Sequence, residues 1–401
     1  MAEPLRILHL NSLLTGGGTD DQCVKLVRGL RQLGQTVSVA GPDGREFSKT
    51  IQELGVPFHP SPPEGPLKLR FILYAARLIR ERQVQIVHGH HGRDIWPTIL
   101  AARLSGVRPK IVLTRHLATS PRSWFSRRLL LGRCDAVIAV SHFVAKVLRE
   151  GVCEPGSAEP ARRNRRPVFG DHAKIHVIYG GIDTERFRPW PAEDPRAETQ
   201  RRDWGLKPEH FAFAVVGGYV QPRGKGQREF LQAAARIHEN IPQARFLIVG
   251  RGDLAELLQD DIARLGLTGK AWLTPYGTDM PAIMNVIDCL VHPQIGTEAL
   301  GLVICEAHAC GKPVIASNLD GIPEAFAIGQ HGQLVAPEDI AGLGEAMFCW
   351  ANRARLPEVE RAKLHERVSR EFSMVVSSER VESLYRNLLD EERGRCYPPH
   401  P

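Results

Sequence analysis

Short apolar runs rich in β-branched residues alternate with helical patterns along nearly the whole of a 401-residue chain. The runs fall at 6–10, 36–40, 85–88, 110–114, 136–140 and 175–179 in the first half. In the second half they fall at 211–216, 244–249, 271–274, 289–292, 313–316 and 333–335. Most are continuously apolar, as strands buried on both faces are, with room for a helix between successive runs. Parallel sheets covered by helices on both sides satisfy such a pattern, so the fold class is α/β. The first helix can be read residue by residue. Thr19 with Gln22 three positions on predicts a capping box, and Asp20 and Asp21 suit the positive end of the helix dipole. Cys23, Leu26, Val27, Leu30 and Leu33 make one apolar stripe, and Gly34 supplies a stop.

The pattern restarts near residue 210, after the Pro- and charge-rich stretch RPWPAEDPRAETQ. Two doubly wound domains are therefore expected, at 1–189 and 190–373, with a last helical segment at 374–401 crossing back to the first. Sheets of this type bind ligands beyond the carboxyl ends of their strands, and a pair of them places a site in the cleft between.

Composition narrows the partners. No apolar stretch approaches the roughly 18 residues that a membrane-spanning helix needs. The opening LRILHLNSLL is interrupted by Arg6 and His9 and reads as a first strand, not a leader. Eight cysteines without a C-x-x-C pair suit a reducing cytoplasm and argue against a zinc ribbon. The net charge of +7 is unevenly divided. Residues 1–189 hold 29 basic and 16 acidic side chains, whereas 190–401 hold 23 and 29. The basic half implies an anionic partner. No recognition motif makes that partner a nucleic acid.

Three stretches carry chemistry. In LTGGGTDDQ, Gly16, Gly17 and Gly18 follow the first strand and open the first helix; this is either a tight turn or a loop that lets a ligand approach the backbone. It is not a G-x-G-x-x-G fingerprint, which weakens a dinucleotide-dependent oxidoreductase. In VVGGYVQPRGKGQREF, Lys225 lies between glycines before a helix starting near Gln227, with Arg223 beside it. That is a place for a diphosphate or a simple cationic surface loop. The third, TEALGLVICEAHACGKPVIAS, spans 297–317. Glu298 sits in a loop, a helix is expected from about Gly301, and Glu306 lies roughly 7.5 Å along its axis. The free amides of Gly301, Leu302 and Val303 can hold phosphate or sugar oxygens, and carboxylates accept strong bonds from sugar hydroxyls.

Glutamate, seven residues, glutamate, then AHACGKPVIAS resembles the signature of retaining glycosyltransferases of family 4, which have the two-domain glycosyltransferase B (GT-B) fold. The resemblance covers almost the whole chain. The GGG loop, VHGH at 87–90, TRH at 114–116, VIAVS at 137–141, GIDTERF at 181–187, KG at 225–226, VGRG at 249–252 and GIPE at 321–324 follow the family's order. It implies that Glu306 binds the ribose of a nucleotide and Glu298 the donor sugar. Gly301, Leu302 and Val303 would offer amides to the donor, and Lys225 would neutralise the diphosphate. His116 would sit near the reacting sugar, Gly17 and Gly18 would line the cleft beside phosphate and acceptor, and Arg251 would lie near base or phosphates. The implied reaction moves a sugar from a nucleotide diphosphate sugar to an acceptor hydroxyl, with no cofactor or metal. An epimerase on the same fold and a non-catalytic scaffold are the rivals.

The chain departs from the family pattern in places. Tyr219 or Val220 stands where an Arg usually precedes the Lys-Gly pair, and Arg223 is the available substitute. Ala299, Gly180 and Gln294 replace the usual Gly, Asn and Ser. These bear on donor choice and rate more than on fold.

His88, His90 and His91 resemble a metal cluster but end a strand and lack a nearby carboxylate ligand set, so no metal site is expected, and nearby Asp94 is read as the cap of the following helix. SPRSWFSRRLLLGR (120–133) mixes Trp124, Phe125 and three leucines with four arginines. It reads as a helix on an anionic membrane surface, or as a buried apolar face with solvated cations. EPARRNRRPVFGDHAK (159–174) looks like an inserted mobile loop. A lipid-linked or phosphorylated glycan acceptor at the cytoplasmic face of the membrane, as in lipopolysaccharide or exopolysaccharide assembly, fits the basic half.

Overall fold

The computed structural model describes residues 3–62, 68–154, 157, 160–191, 193–274 and 279–396. The chain forms two compact units, one from Met1–Gly181 with Phe372–Pro401 and one from Ile182–Glu371. The first contains a parallel sheet of β1 (Arg6–Leu10), β2 (Thr36–Gly41), β3 (Phe58–Pro60), β4 (Ile86–Gly89), β5 (Lys110–Arg115), β6 (Ala136–Ala139) and β7 (Ile175–Val177). Their order is β3-β2-β1-β4-β5-β6-β7. The second holds β8 (Phe211–Val216), β9 (Ala244–Val249), β10 (Ala271–Thr274), β11 (Cys289–His292), β12 (Val314–Ser317) and β13 (Gly332–Val335). These are ordered β10-β9-β8-β11-β12-β13. Both sheets are doubly wound, as expected. The winding reverses between β1 and β4 and between β8 and β11, the places where such sheets open a crevice. The three-residue β3 ends in Pro60 and is too short to register as a pattern.

Residues 182–190 belong with the second unit, eight positions earlier than the expected boundary. Asn285 explains why: its side chain accepts from the Trp190 N–H at 2.8 Å and donates to the Arg188 carbonyl at 3.0 Å. The first helix, Gly18–Gln32, has Gly17 as its N-cap and no side-chain cap, so the Thr19–Gln22 capping box does not form. Gln22 donates instead to the Gly181 carbonyl at 3.0 Å, and the Asp20 carboxylate receives the Gly16 N–H at 3.1 Å.

The last helix, Met374–Cys396, packs within the first unit. Ser373 starts it by accepting the Val376 N–H at 3.2 Å. Val381, Leu384, Tyr385 and Leu388 join a core with Val27 and Leu30 of the first helix and Ile7, Val39, Ile86 and Val112 of the sheet. The two helices touch closely at Gly29, where an added Cβ would lie 2.0 Å from Ser378 Oγ.

The 159–174 stretch is held down rather than loose across its described part. Arg165 is fully buried, donates to the Ala118 carbonyl at 3.1 Å and lies over the Phe143 ring. Glu159 itself lies outside the described residues. The helix Trp124–Arg133 buries Leu130 and Leu131 and leaves Trp124 and Phe125 exposed. No helix among the described residues is long and apolar enough to cross a membrane.

Candidate functional site

In the second unit, four loops meet beyond the carboxyl ends of β8, β9, β11 and β12. The β8 loop is fastened to the β9 loop by Gly217 N–H to the Val249 carbonyl (2.9 Å) and Tyr219 N–H to the Arg251 carbonyl (3.2 Å). Glycines permit this approach: a Cβ at Gly250 would lie 2.2 Å from the Gly217 carbonyl oxygen, and one at Gly252 2.2 Å from that of Tyr219. Gly226, at φ +87°, starts the helix Gln227–Ile237, and its missing Cβ leaves room for the Pro293 carbonyl of the β11 loop. Gln227 stitches the turn, accepting the Lys225 N–H at 2.7 Å and donating to the Gly217 carbonyl at 3.3 Å. The β11 loop is tied to the β12 loop by Glu298 N–H to Asp320 (3.1 Å) and Gly321 N–H to the Glu298 carbonyl (3.2 Å).

This scaffold sets Lys225 Nζ 2.8 Å from Glu298 Oε2, although 73 residues separate them in sequence. His292 Nε2 lies 3.7 Å from the same oxygen. Burial pushes the Glu298 carboxyl up, but the Lys225 ammonium, with His292, holds it well below the usual carboxylate range. Glu298 is therefore an ionised acceptor, poised beside a half-buried cation. Gly301 caps the helix Leu302–Ala309 in the left-handed conformation, so the amides of Leu302 and Val303 fall in a first turn that has no carbonyl partner of its own helix. Glu306 is half-buried on that helix. Arg251 is exposed, and Arg223 is exposed and pairs with Glu338 at 3.4 Å. At the position of the family's arginine, Tyr219 turns into the core and Val220 is exposed.

The first unit places His116, Gly17 and Gly18 beyond its own strands β5 and β1. Between them lies a set of imidazoles that sequence spacing missed. Register pairs His9 of β1 with His88 of β4, and side chains two apart share a face, which adds His90 and Thr114. His9 Nδ1 and His90 Nε2 are 2.9 Å apart. His88 bonds to the Tyr385 hydroxyl and to Thr114 Oγ1, both at 2.6 Å. His90 in turn stacks on His116 at 5.9 Å. Both nitrogens of His88 are thus committed to hydroxyls. Of the three histidines that resemble a cluster in the sequence, His88 and His90 group with His9, and His91 turns aside. A carboxylate is in fact near His91, since Asp20 lies 2.8 Å from its Nε2. Burial opposes ionisation of Asp20, but bonds from His91, Asn11 and the Gly16 N–H outweigh it and hold the carboxyl below its usual range. Asp94 does not cap the following helix with its side chain; its carboxylate receives the Ser12 and His91 N–H groups at 3.3 and 3.2 Å. Burial lowers His9 and His116 to about 3 and holds His88 and His90 well below the ordinary value.

Each unit is a doubly wound parallel sheet, and the second gathers a cation, a carboxylate and a helix start at its switch point. Residues 16–155 match the family described as Glycosyltransferase Family 4, and residues 210–352 match Glycosyl transferases group 1. The chain belongs to this glycosyltransferase family and is an enzyme of the GT-B fold. It is 27% identical to a phosphatidyl-myo-inositol mannosyltransferase of Mycolicibacterium smegmatis over 90% of this chain and 88% of that one. It is 30% identical to an Escherichia coli UDP-Gal:alpha-D-GlcNAc-diphosphoundecaprenol alpha-1,3-galactosyltransferase over 63% and 62% of the respective chains. Among solved structures, Anabaena HepE in complex with UDP and glucose superposes with a TM-score of 0.77 at 20% identity, covering 95% of this chain and 99% of that one.

Proposed function

We propose that this chain is a retaining glycosyltransferase that moves a sugar from a nucleotide diphosphate sugar to a hydroxyl of a glycan or lipid-linked acceptor. The observation that carries the reading is the Lys225–Glu298 pair beside the first turn of the helix Leu302–Ala309. As the anomeric C–O bond to the diphosphate breaks, negative charge gathers on the phosphate oxygens, where Lys225 and helix amides stabilise it. The acceptor oxygen bonds to the same face of the anomeric carbon, and its proton passes to the departing diphosphate. Glu298 accepts from hydroxyls of the donor sugar and Glu306 from those of the ribose. Arg251 lies toward base or phosphates, and Arg223 takes the part of the family's upstream arginine. His116 and the Gly17–Gly18 turn serve the acceptor side on the basic first unit. No metal or cofactor takes part in this scheme.

Incubation with a panel of nucleotide sugars tests the class. Slow donor hydrolysis or transfer supports it; interconversion of sugars would make the chain an epimerase, and no turnover would make it a scaffold. For the ribose contact, Glu306→Ala is expected to weaken nucleoside diphosphate binding by about tenfold or more, as loss of a charge-assisted bond does. Unchanged affinity in calorimetry would remove Glu306 from this role.

The acceptor proposed is lipid-linked, as in lipopolysaccharide or other bacterial cell-surface polysaccharide assembly, reached from the cytoplasmic face. Two things support that choice: the diphosphoundecaprenol substrate in the name of the Escherichia coli relative, and a surface of the first unit. Trp96 Nε1 donates to Ser126 at 2.9 Å, joining the helices Ile95–Leu104 and Trp124–Arg133. On these helices Leu100, Leu104, Trp124 and Phe125 are exposed among exposed Arg103, Arg122 and Arg128. Apolar anchors ringed by arginine suit an anionic bilayer surface. Cosedimentation with vesicles containing phosphatidylglycerol is expected to fall as salt rises and to fall again in Trp124→Ala/Phe125→Ala. Absent or salt-independent binding would refute the membrane part alone.

A further inference from the structure

The second unit carries a cavity at the opposite edge of its sheet from the donor loops. Phe211, Asp288, Pro313 and His331 line it, each at or just before the start of a strand, and its volume is about 330 Å³. The six residues of β8 put it about 20 Å from the Gly217 turn at ~3.3 Å per residue. It is therefore no extension of the proposed donor site.

Its charge is unbalanced. Arg201, Lys312, Arg353, Arg355 and Arg361 line it against two acids, Asp288 and Glu358. Asp288 is already committed: it lies 3.2 Å from Arg201 and 2.9 Å from Arg355, and it accepts the Ala212 N–H at 2.8 Å. Among the described residues neither Lys312 nor Arg361 forms an ion pair, and Asp288 acts on Lys312 only from a distance. Lys312 Nζ donates to the Asn285 carbonyl at 2.8 Å, and burial draws its ammonium down to about 8. One Arg361 nitrogen donates to the Trp190 carbonyl at 3.2 Å, while its buried Nε has no partner. Half-buried cations held by carbonyls alone are partly desolvated, and a bound anion relieves that cost.

Flat surfaces accompany these charges. Trp190 and Trp350 are both largely buried in the wall. Arg353 lies over the Trp350 ring at 4.5 Å, and His331 meets the same ring edge-on at 5.1 Å. The volume falls in the range of small-ligand pockets. We propose that this cavity is a second ligand site, taking a small phosphate ester whose ring lies against Trp350 and whose phosphate meets Lys312 and Arg361. The proposal does not depend on the donor reading above.

The test uses the full chain labelled with 5-fluorotryptophan and titrated with adenosine 5′-monophosphate, with glucose 6-phosphate and inorganic phosphate as parallel probes. The six tryptophans give separate fluorine reporters, two of them in the cavity wall. The organic phosphates should move the Trp190 and Trp350 resonances saturably, with inorganic phosphate weaker. Which of the two binds tighter identifies an aromatic or a sugar ring. Lys312→Met/Arg361→Met should weaken binding by about tenfold or more. Arg353→Glu, on the exposed rim, should do likewise and covers the case in which the double variant fails to fold. Lys225→Ala should leave the affinity unchanged. The proposal is overturned if neither wall tryptophan moves at ~10 mM ligand, or if Lys225→Ala abolishes the shift while Arg353→Glu spares it.

Discussion

Replacing Lys225 by alanine is expected to reduce turnover of the nucleotide sugar by about 10²–10³-fold, the usual cost of removing one donor to charge that develops in a transition state. The ammonium stands 2.8 Å from Glu298, and the loop around it is fixed by Gln227 and by the approach of Gly226 to Pro293. The loss should therefore appear in kcat as well as in affinity. Two effects act together. The leaving diphosphate loses its cation, and Glu298 loses the charge that keeps it ionised against burial. Lys225→Arg should restore part of the rate, because the charge returns but a planar fork replaces a point charge. Arg223→Ala should cost less, about tenfold, since its exposed side chain is shared with Glu338. Steady-state kinetics with the donor found in the panel measures all three. A Lys225→Ala enzyme with wild-type kcat would show that the diphosphate leaves without help from this loop.

Acidification is expected to destabilise the protein well above the range in which carboxylates titrate. His9 is fully buried and lowered to about 3, against an ordinary value of 6.5. Between those values the unfolded chain binds a proton that the folded chain does not, so stability falls as pH drops below 6.5 and is fully present above it. At about 1.4 kcal/mol per pH unit, His9 alone removes roughly 2 kcal/mol at pH 5. His88, His90 and His116 act in the same direction, and so do His308 and His331 of the second unit, both lowered to about 4. Urea unfolding at pH 7.5, 6 and 5 measures this. The transition should be nearly constant from pH 7 to 7.5, then move to lower urea by pH 5. His9→Gln should flatten the slope by about one proton. A flat profile down to pH 5 would mean that these rings are charged in the folded state.

The second-unit strands at 211–216, 244–249, 271–274 and 289–292 could be read off the chain because each is a mainly apolar run, broken only by Arg245, and closed by a turn residue or a polar position. The strand Phe58–Pro60 could not, since three residues ending in proline carry no period. The capping box at Thr19 does not form because the helix already starts at Gly18, which puts Thr19 inside its first turn, and Gln22 is drawn to the Gly181 carbonyl. Residues 182–189 fall on the other side of the expected boundary because Asn285, nearly a hundred positions away, holds Arg188 and Trp190. Of the candidate site, the spacing from Glu298 to Glu306 and the glycines around Lys225 stand out in one dimension. His292 and Asp320 do not: His292 ends β11 as one polar residue of a strand and reaches Glu298 by the fold of the following loop, and Asp320 is brought to Glu298 only by the order of the strands.

From the chain alone came the two-fold restart of an α/β pattern, the glycine-rich turns after the strands and the helix start between two glutamates. These are local properties, set by periodicity, backbone freedom at glycine and the free amides of a helix's first turn. Tertiary structure decided which of these pieces meet. Strand order placed Lys225 against Glu298, and parallel register stacked His9, His88 and His90 beneath Tyr385. The cations Lys312 and Arg361 were brought to one cavity wall whose acid Asp288 is already paired with Arg201 and Arg355. Such pairings depend on the winding of a sheet around its first strand, and winding is a property of the packed whole that no local stretch records.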